Sequence, residues 1–250
     1  MRDARRPDTV FWVEPASVDG GRVMLSRDES HHLLDVFRAS VGTPFEAVDG
    51  VGSTYACVLE SAERGIAVGR VVDTVQDRGE LSNPLVLVIG LADPAAAETV
   101  VAHAIPLGAA AIDFISCERS GRPALPASRL ERLDRIARSA TKQSRRSRLA
   151  TVRSSASLGE AMESLGPGPR FVADPGGSAL ALGTHLPPEA SIAIAVGPPG
   201  GFTPDELDQL ERGRFHRISL GPSRLTTETA SIAMLSLARN GLIASRLDPI

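Results

Sequence analysis

Lysine is almost absent from this chain: Lys142 is the only one, and the other 26 of its 27 basic residues are arginines. The glycine-rich stretch Ala195-Val-Gly-Pro-Pro-Gly-Gly-Phe202 therefore has no lysine of the GxxxxGK[ST] kind to cradle a triphosphate, and it does not match GxGxxG either. Cysteine is equally scarce. Cys57 and Cys117 lie far apart, with no CxxC and no Cys/His cluster, so no disulfide framework or metal site is expected and both read as reduced, buried thiols. Long apolar runs are missing too, both as a leader-like core near the start and as a membrane span, which makes a cytoplasmic protein the expectation. Aromatic residues make up 4% of the chain, too few for an extended base-stacking surface.

What remains is an ordinary globular composition, 42% hydrophobic and 23% charged. Its net charge is −3, but the charge is unevenly spread. From Arg119 to Arg153 ten arginines and Lys142 stand against Glu131 and Asp134, a local balance of +9 in an acidic chain. One cationic segment in an acidic body points to a localised anionic partner.

Residues 8–76 read as short β-prone runs: 8–15, 21–26, 43–50, 53–63 and 65–75, with one helical stretch at 29–40. Close-spaced strands with Gly and Asp turns predict a small β-barrel. The polar segment 75–84, ending in Asn-Pro, reads as a linker. Beyond it longer apolar strands (85–92, 111–117, 170–177, 191–197 and 215–221) alternate with helices (94–109, 127–148, 157–165, 203–213 and 228–247). That alternation predicts a mostly parallel sheet covered on both faces.

In a parallel sheet ligands bind beyond the carboxyl ends of the strands. Gly197, Gly200 and Gly201 follow one such end, and Thr203, Pro204 and Glu206 have the order of a capping box opening a helix. A second loop, Leu220-Gly-Pro-Ser-Arg-Leu-Thr226, leaves the next strand and enters the last helix. Two adjacent loops at one sheet edge form a main-chain clamp suited to an adenine and a ribose. At helical spacing, Arg135, Arg138, Lys142, Arg145 and Arg146 fall within an arc of about 100° opposite Leu130, Leu133 and Ile136, a stripe suited to a phosphate backbone. Gln143 is its one polar, uncharged neighbour. Adjacent His31 and His32 point about 100° apart on a helix and cannot easily share a metal ion.

Taken in order, "HHLLDVFRASVG", "RSATKQSRRSR", "VGPPGGFTPDEL" and "SLGPSRLTTETA" resemble the RsmE family of SPOUT methyltransferases, over essentially the whole chain. The resemblance implies a PUA-like β-barrel over 1–76 that binds RNA, and a SPOUT α/β domain with a C-terminal trefoil knot over 82–250. It further implies a homodimer that uses S-adenosylmethionine to methylate N3 of a uridine in 16S rRNA, in the small ribosomal subunit. Cofactor contacts are then expected from Ala173, Val196, Gly197, Gly200, Gly201, Leu220, Gly221, Leu225 and Thr226, RNA contacts from Arg38, Arg135, Arg138, Lys142, Gln143, Arg145 and Arg146, and the chemical step from Glu228 and Arg224. The chain departs from the family pattern at Pro199, where an acidic residue is usual, and at Ser223 and Thr226, where arginines are usual. Those departures keep open a protein that binds RNA without methylating it, or that methylates another site.

Overall fold

The computed structural model describes residues 9–90, 93–121, 124–178 and 190–247. It separates into two compact units, one of residues 1–80 with 138–149, the other of residues 81–137 with 150–250.

The first unit contains β1 (Val10–Trp12), β2 (Val18–Asp19), β3 (Arg22–Met24), α1 (Arg27–His31), β4 (Pro44–Val48), β5 (Ser53–Glu63) and β6 (Ile66–Gln76). They form one six-stranded sheet in the order β1-β4-β5-β6-β3-β2, antiparallel except for β1 beside β4. Phe11 from β1 and Val23 from β3, near opposite ends of that order, sit in one buried cluster with Leu33, Phe45, Cys57, Leu59 and Ala67. The sheet must therefore curl around a shared core. Its bulges help: the register shift between Ala56 and Cys57 turns the buried face from Thr54 to Cys57 and Leu59. The helix expected at 29–40 starts earlier, because Ser26 accepts the Glu29 N–H as its N-cap. It then widens into a π turn over His32–Val36. His31 bonds Asp35 at 2.7 Å, while the His32 ring packs 5.0 Å from Phe37.

Asp49 closes the β4–β5 turn. Its Oδ1 accepts the N–H groups of Val51, Gly52 and Ser53, and its Oδ2 accepts the Tyr55 hydroxyl at 3.0 Å. Burial works to raise the Asp49 pKa, but the Ser53 and Val51 N–H groups and the hydroxyls of Ser53 and Tyr55 outweigh it and hold it below the usual carboxylate value. A group whose folded pKa is depressed adds stability above its unfolded value and loses it as pH falls through the folded one. Asp49→Ala is thus expected to cost about 1–3 kcal/mol near neutral pH. The difference from wild type should shrink below about pH 4, measured by urea denaturation across a pH series.

The second unit contains β7 (Leu85–Gly90), α2 (Pro94–Ala104), β8 (Ala109–Ile115), β9 (Thr151–Ser155), α4 (Leu158–Glu163), β10 (Arg170–Ser178), β11 (Ile192–Val196), α5 (Pro204–Arg212), β12 (Phe215–Ile218) and α6 (Thr227–Leu247). The long helix α3 (Ala127–Ser144) is divided between the units at Ala137. All pairs in the second sheet are parallel, in the order β12-β10-β11-β7-β8-β9. Every residue of β11 is buried, as continuous apolar strands require when both faces are covered. Leu158 and Ala161 of α4 and Leu210 of α5 join Val88, Val172, Ala193 and Ala195 in one cluster. Helix α6 packs on α2, β7 and β11.

Sequence reasoning missed β9, whose Thr-Val-Arg-Ser-Ser is short and mostly polar. Its Arg153 and Ser155 bond the fully buried Asp113 of β8, at 2.6 and 2.9 Å. Leu91 and Ala92, the expected end of β7, lie outside the described residues. The boundary between the two units falls inside the expected linker over 75–84, whose residues are also bonded to the units on either side. Arg78 donates to Glu46 at 2.7 Å, and Asn83 donates to the Ala190 carbonyl at 2.9 Å.

Candidate functional site

Three strands of the second unit, β10, β11 and β12, run parallel and side by side, so their carboxyl ends open at one edge. A cavity of about 550 Å³ lies there. Its walls include Ala173, Val196, Gly197, Gly200, Gly201, Leu220, Gly221, Leu225 and Thr226, every residue for which the family resemblance implied a cofactor contact, together with Arg224, Asp174 and Arg119. The two loops are bonded to each other as well as adjacent. Arg224 donates to the Pro199 carbonyl at 3.0 Å, and the Thr227 hydroxyl donates to the Gly197 carbonyl at 3.1 Å.

Local sequence explains the loop shapes. Pro198 and Gly201 close a tight turn, with the Gly201 N–H on the Pro198 carbonyl at 2.7 Å and Gly201 at φ 70°. A Cβ on Gly197 would stand 2.9 Å from the Phe202 nitrogen, so only glycine lets the turn fold back this closely. The capping box forms as expected. The Thr203 hydroxyl accepts the Glu206 N–H, and Glu206 Oε2 accepts the Thr203 N–H at 2.8 Å. The other Glu206 oxygen accepts the Glu118 N–H at 2.9 Å, joining α5 to the turn after β8. Thr226 caps α6 by accepting the Thr229 N–H.

Cys117 lies behind the loop, where a Cβ added to Gly90 would come 3.0 Å from its sulfur. Burial first, and the Glu206 charge second, push the Cys117 thiol up to about 12, and burial does the same to Cys57. Neither is a thiolate near neutral pH, so neither is a nucleophile. Glu228 does not join the cavity wall: it is half-buried in the first turn of α6. Asp174 bonds the Gly176 N–H at 2.8 Å, the role of a turn residue, while also lining the cavity.

The basic stripe differs most from expectation. Helix α3 stops at Ser144 because Arg145 turns left-handed at φ 57°, so Arg145 and Arg146 leave the helical face. Acidic residues far off in sequence then take up the cations. Arg138 bonds Glu14 at 2.7 Å and lies 4.8 Å above the Trp12 ring. Lys142 bonds Glu29, and Arg145 is 3.9 Å from Glu46. Arg146, 3% exposed, bonds Glu80 at 2.6 Å. These four residues tie residues 138–149 to the first unit. Arg135 and Gln143 remain exposed on the helix, and Arg38 is exposed at φ 54° in the first unit.

Two family models match. One describes an RNA methyltransferase domain over residues 79–239, the other an RNA methyltransferase PUA domain over residues 25–72. A protein of Synechocystis named ribosomal RNA small subunit methyltransferase E is 30% identical over 233 residues, spanning 90% of this chain and 75% of that protein. The chain belongs to the RsmE family of RNA methyltransferases. A relative of the same name from Mycobacterium bovis is 28% identical over 254 residues, covering 96% of this chain and 93% of its own length. The fold is that of RsmE from Neisseria gonorrhoeae, whose crystal structure was solved bound to S-adenosylmethionine. The two superpose with a TM-score of 0.80 at 24% identity, over 93% of this chain and 97% of that one.

Among the residues lining the cavity, sequence reasoning passed over Arg119. It follows the buried end of β8 and donates through Nη1 to the Gly200 carbonyl at 3.0 Å and the Phe202 carbonyl at 3.2 Å. Its signal was faint, one arginine among ten in a basic segment.

Proposed function

We propose that this protein transfers the methyl group of S-adenosylmethionine to N3 of a uridine in 16S ribosomal RNA. The observation that carries this reading is the convergence of all nine expected cofactor residues on one cavity of about 550 Å³. That volume lies within the ordinary range of about 300–1,000 Å³ for small-molecule sites. Its chemistry also fits: Val196, Leu220, Leu225 and Ala230 offer apolar surface for an adenine, and glycine-rich backbone offers close main-chain approach. The relatives named ribosomal RNA small subunit methyltransferase E support the choice of RNA, and the liganded Neisseria structure supports the cofactor.

The cofactor, when bound, supplies an electrophilic methyl group on a sulfonium. The chain's own residues place the acceptor nitrogen in line and exclude water, where much of the rate gain of such a transfer lies. We assign to Arg224, on the cavity wall, the stabilisation of the uridine anion left when N3 gives its proton to solvent; once the methyl has bonded N3, S-adenosylhomocysteine is the leaving group. Glu228 acts on α6 as a first-turn acid and reaches the reaction only indirectly. The base must be unstacked to enter, which favours a loop or single-stranded target. We assign RNA backbone contacts to Arg38, Arg135 and Gln143, with Arg138, Lys142, Arg145 and Arg146 holding the helix that presents them.

That division has a direct check. Arg135→Ala should lower the slope of log affinity against log salt by about one, as loss of one phosphate contact requires. Lys142→Ala should leave the slope unchanged and reduce stability. Equal slopes for wild type and Arg135→Ala would remove Arg135 from the interface.

Homodimerisation through α6 is part of this proposal, supported by Leu237 and Ile243, 44% and 38% exposed on that helix. So are the trefoil knot and a cytoplasmic location. Among the described residues no helix is long and apolar enough to cross a membrane. Calorimetry with S-adenosylmethionine tests the cofactor, and mass spectrometry of 16S rRNA from a strain lacking the gene tests the target. No heat at millimolar cofactor would favour RNA binding without methylation, a reading motivated by Pro199. An unchanged N3-methyluridine would redirect the activity to another site.

A further inference from the structure

Of the four peptide groups between Pro199 and Thr203 in the glycine loop, three have carbonyls held by side chains from elsewhere. Arg224 takes the Pro199 carbonyl, and Arg119 takes those of Gly200 and Phe202. A trans peptide is planar, so fixing a carbonyl also fixes the direction of the N–H on the next residue. The Gly200 carbonyl belongs to the same plane as the Gly201 N–H, which bonds Pro198. The Phe202 carbonyl belongs to the plane of the Thr203 N–H, which bonds Glu206. Two of the planes are thereby pinned at both edges. The plane between Pro199 and Gly200 is pinned at its carbonyl alone, and among the described residues no acceptor takes the Gly200 N–H.

Arg119 is itself anchored. Ser120 Oγ accepts the Cys117 N–H at 3.1 Å and donates to the Cys117 carbonyl at 2.7 Å, and Glu206 holds the Glu118 N–H. Its aliphatic stem lies against Gly200, where a Cβ would stand 3.2 Å from the Arg119 Cβ. A larger residue at 200 would push against this stem.

From this geometry we infer that Arg119 is a positioning residue for the cofactor: with Arg224 it braces three of the four peptide planes between Pro199 and Thr203, so that the cavity wall has its binding shape before the ligand arrives. The inference rests on the cavity holding S-adenosylmethionine. A preformed wall spares the ligand the cost of ordering the loop, so the brace acts on affinity. It also gives Pro199 a place. The bond from Arg224 goes to a main-chain carbonyl, which proline supplies as well as an acidic residue does.

The test compares wild type, Arg119→Ala and Arg119→Lys as full-length proteins, with circular dichroism to establish folding. In the cofactor-free protein the Gly201 and Thr203 amides of Arg119→Ala should exchange with deuterium at least about tenfold faster. The dissociation constant for S-adenosylmethionine, by calorimetry, should rise at least about tenfold, as expected when two charge-assisted hydrogen bonds are lost. The rate at saturating cofactor should stay within about threefold of wild type. Arg119→Lys keeps the charge and the stem but replaces the planar fork with a single ammonium nitrogen, and its affinity should fall between the two. Unchanged amide exchange would overturn the brace. So would unchanged affinity with a lower saturated rate, which would move Arg119 to the RNA side of the reaction. If wild type itself binds no S-adenosylmethionine the proposed activity fails, and the exchange measurement still decides the brace.

Discussion

Glu80→Ala is expected to destabilise the first unit by about 3–5 kcal/mol, the usual cost of breaking a buried ion pair by removing one member. Both Glu80 oxygens are occupied. Oε2 accepts from Arg146 Nη2 at 2.6 Å and Nε at 3.1 Å, and Oε1 accepts the N–H groups of Ser147 and Arg148 at 3.1 and 2.9 Å. The Arg146 side chain is 3% exposed, so solvent cannot replace the lost carboxylate. Trp12 is the only tryptophan of the chain and belongs to this unit, which makes its fluorescence a local reporter. The urea midpoint read from it should fall by at least about 1 M. Glu80→Gln keeps the shape and one acceptor and should cost less. A midpoint unmoved by Glu80→Ala would mean that the Arg146 pair contributes nothing to this unit.

The second large effect is expected at Gly90, the last residue of β7. A Cβ there would lie 2.5 Å from the Pro198 Cδ, 2.6 Å from the Pro198 nitrogen and 3.0 Å from the Cys117 sulfur. None of these is the free end of a flexible side chain. Gly90→Ala must therefore displace the start of the glycine loop, an overpacking that costs about 1–3 kcal/mol. The displaced atoms line the cavity, so S-adenosylmethionine affinity should fall at least about tenfold by calorimetry. Gly221→Ala is the contrast. Its φ of 103° disfavours a side chain, but no atom lies within 4 Å of the added Cβ, so its effect should be backbone strain alone. Equal affinities for Gly90→Ala and wild type would show that the loop accommodates the methyl group without moving.

The long strand and helix runs were legible because burial imposes their pattern. Residues 53–63 and 228–247 read from the sequence as elements now seen at Ser53–Glu63 and Thr227–Leu247. The loops around the cavity were legible for a related reason. Glycine, proline and a capping box are local signals, and the loop conformations they demand are those that form. The ion pairs along the stripe on α3 were not legible because charge partners are not local. Arg138 and Glu14 are 124 residues apart, Lys142 and Glu29 are 113 apart, and no periodicity reports such pairs. Arg119 was missed because its work is done through main-chain carbonyls, which carry no side-chain identity to notice.

The return of residues 138–149 to the first unit bears on how the chain is made. Leu149 packs against the buried trio Val10, Trp12 and Val48, and its N–H bonds the Gly50 carbonyl at 2.8 Å. During synthesis the residues up to Gln76 emerge with their six strands but without that lid, and with Arg138 and Lys142, the partners of Glu14 and Glu29, not yet made. The first unit is therefore not finished when its last strand leaves the ribosome. It is completed only after most of α3 has been translated, so the opening strands wait for a segment synthesised about seventy residues later, at ordinary elongation a delay of several seconds.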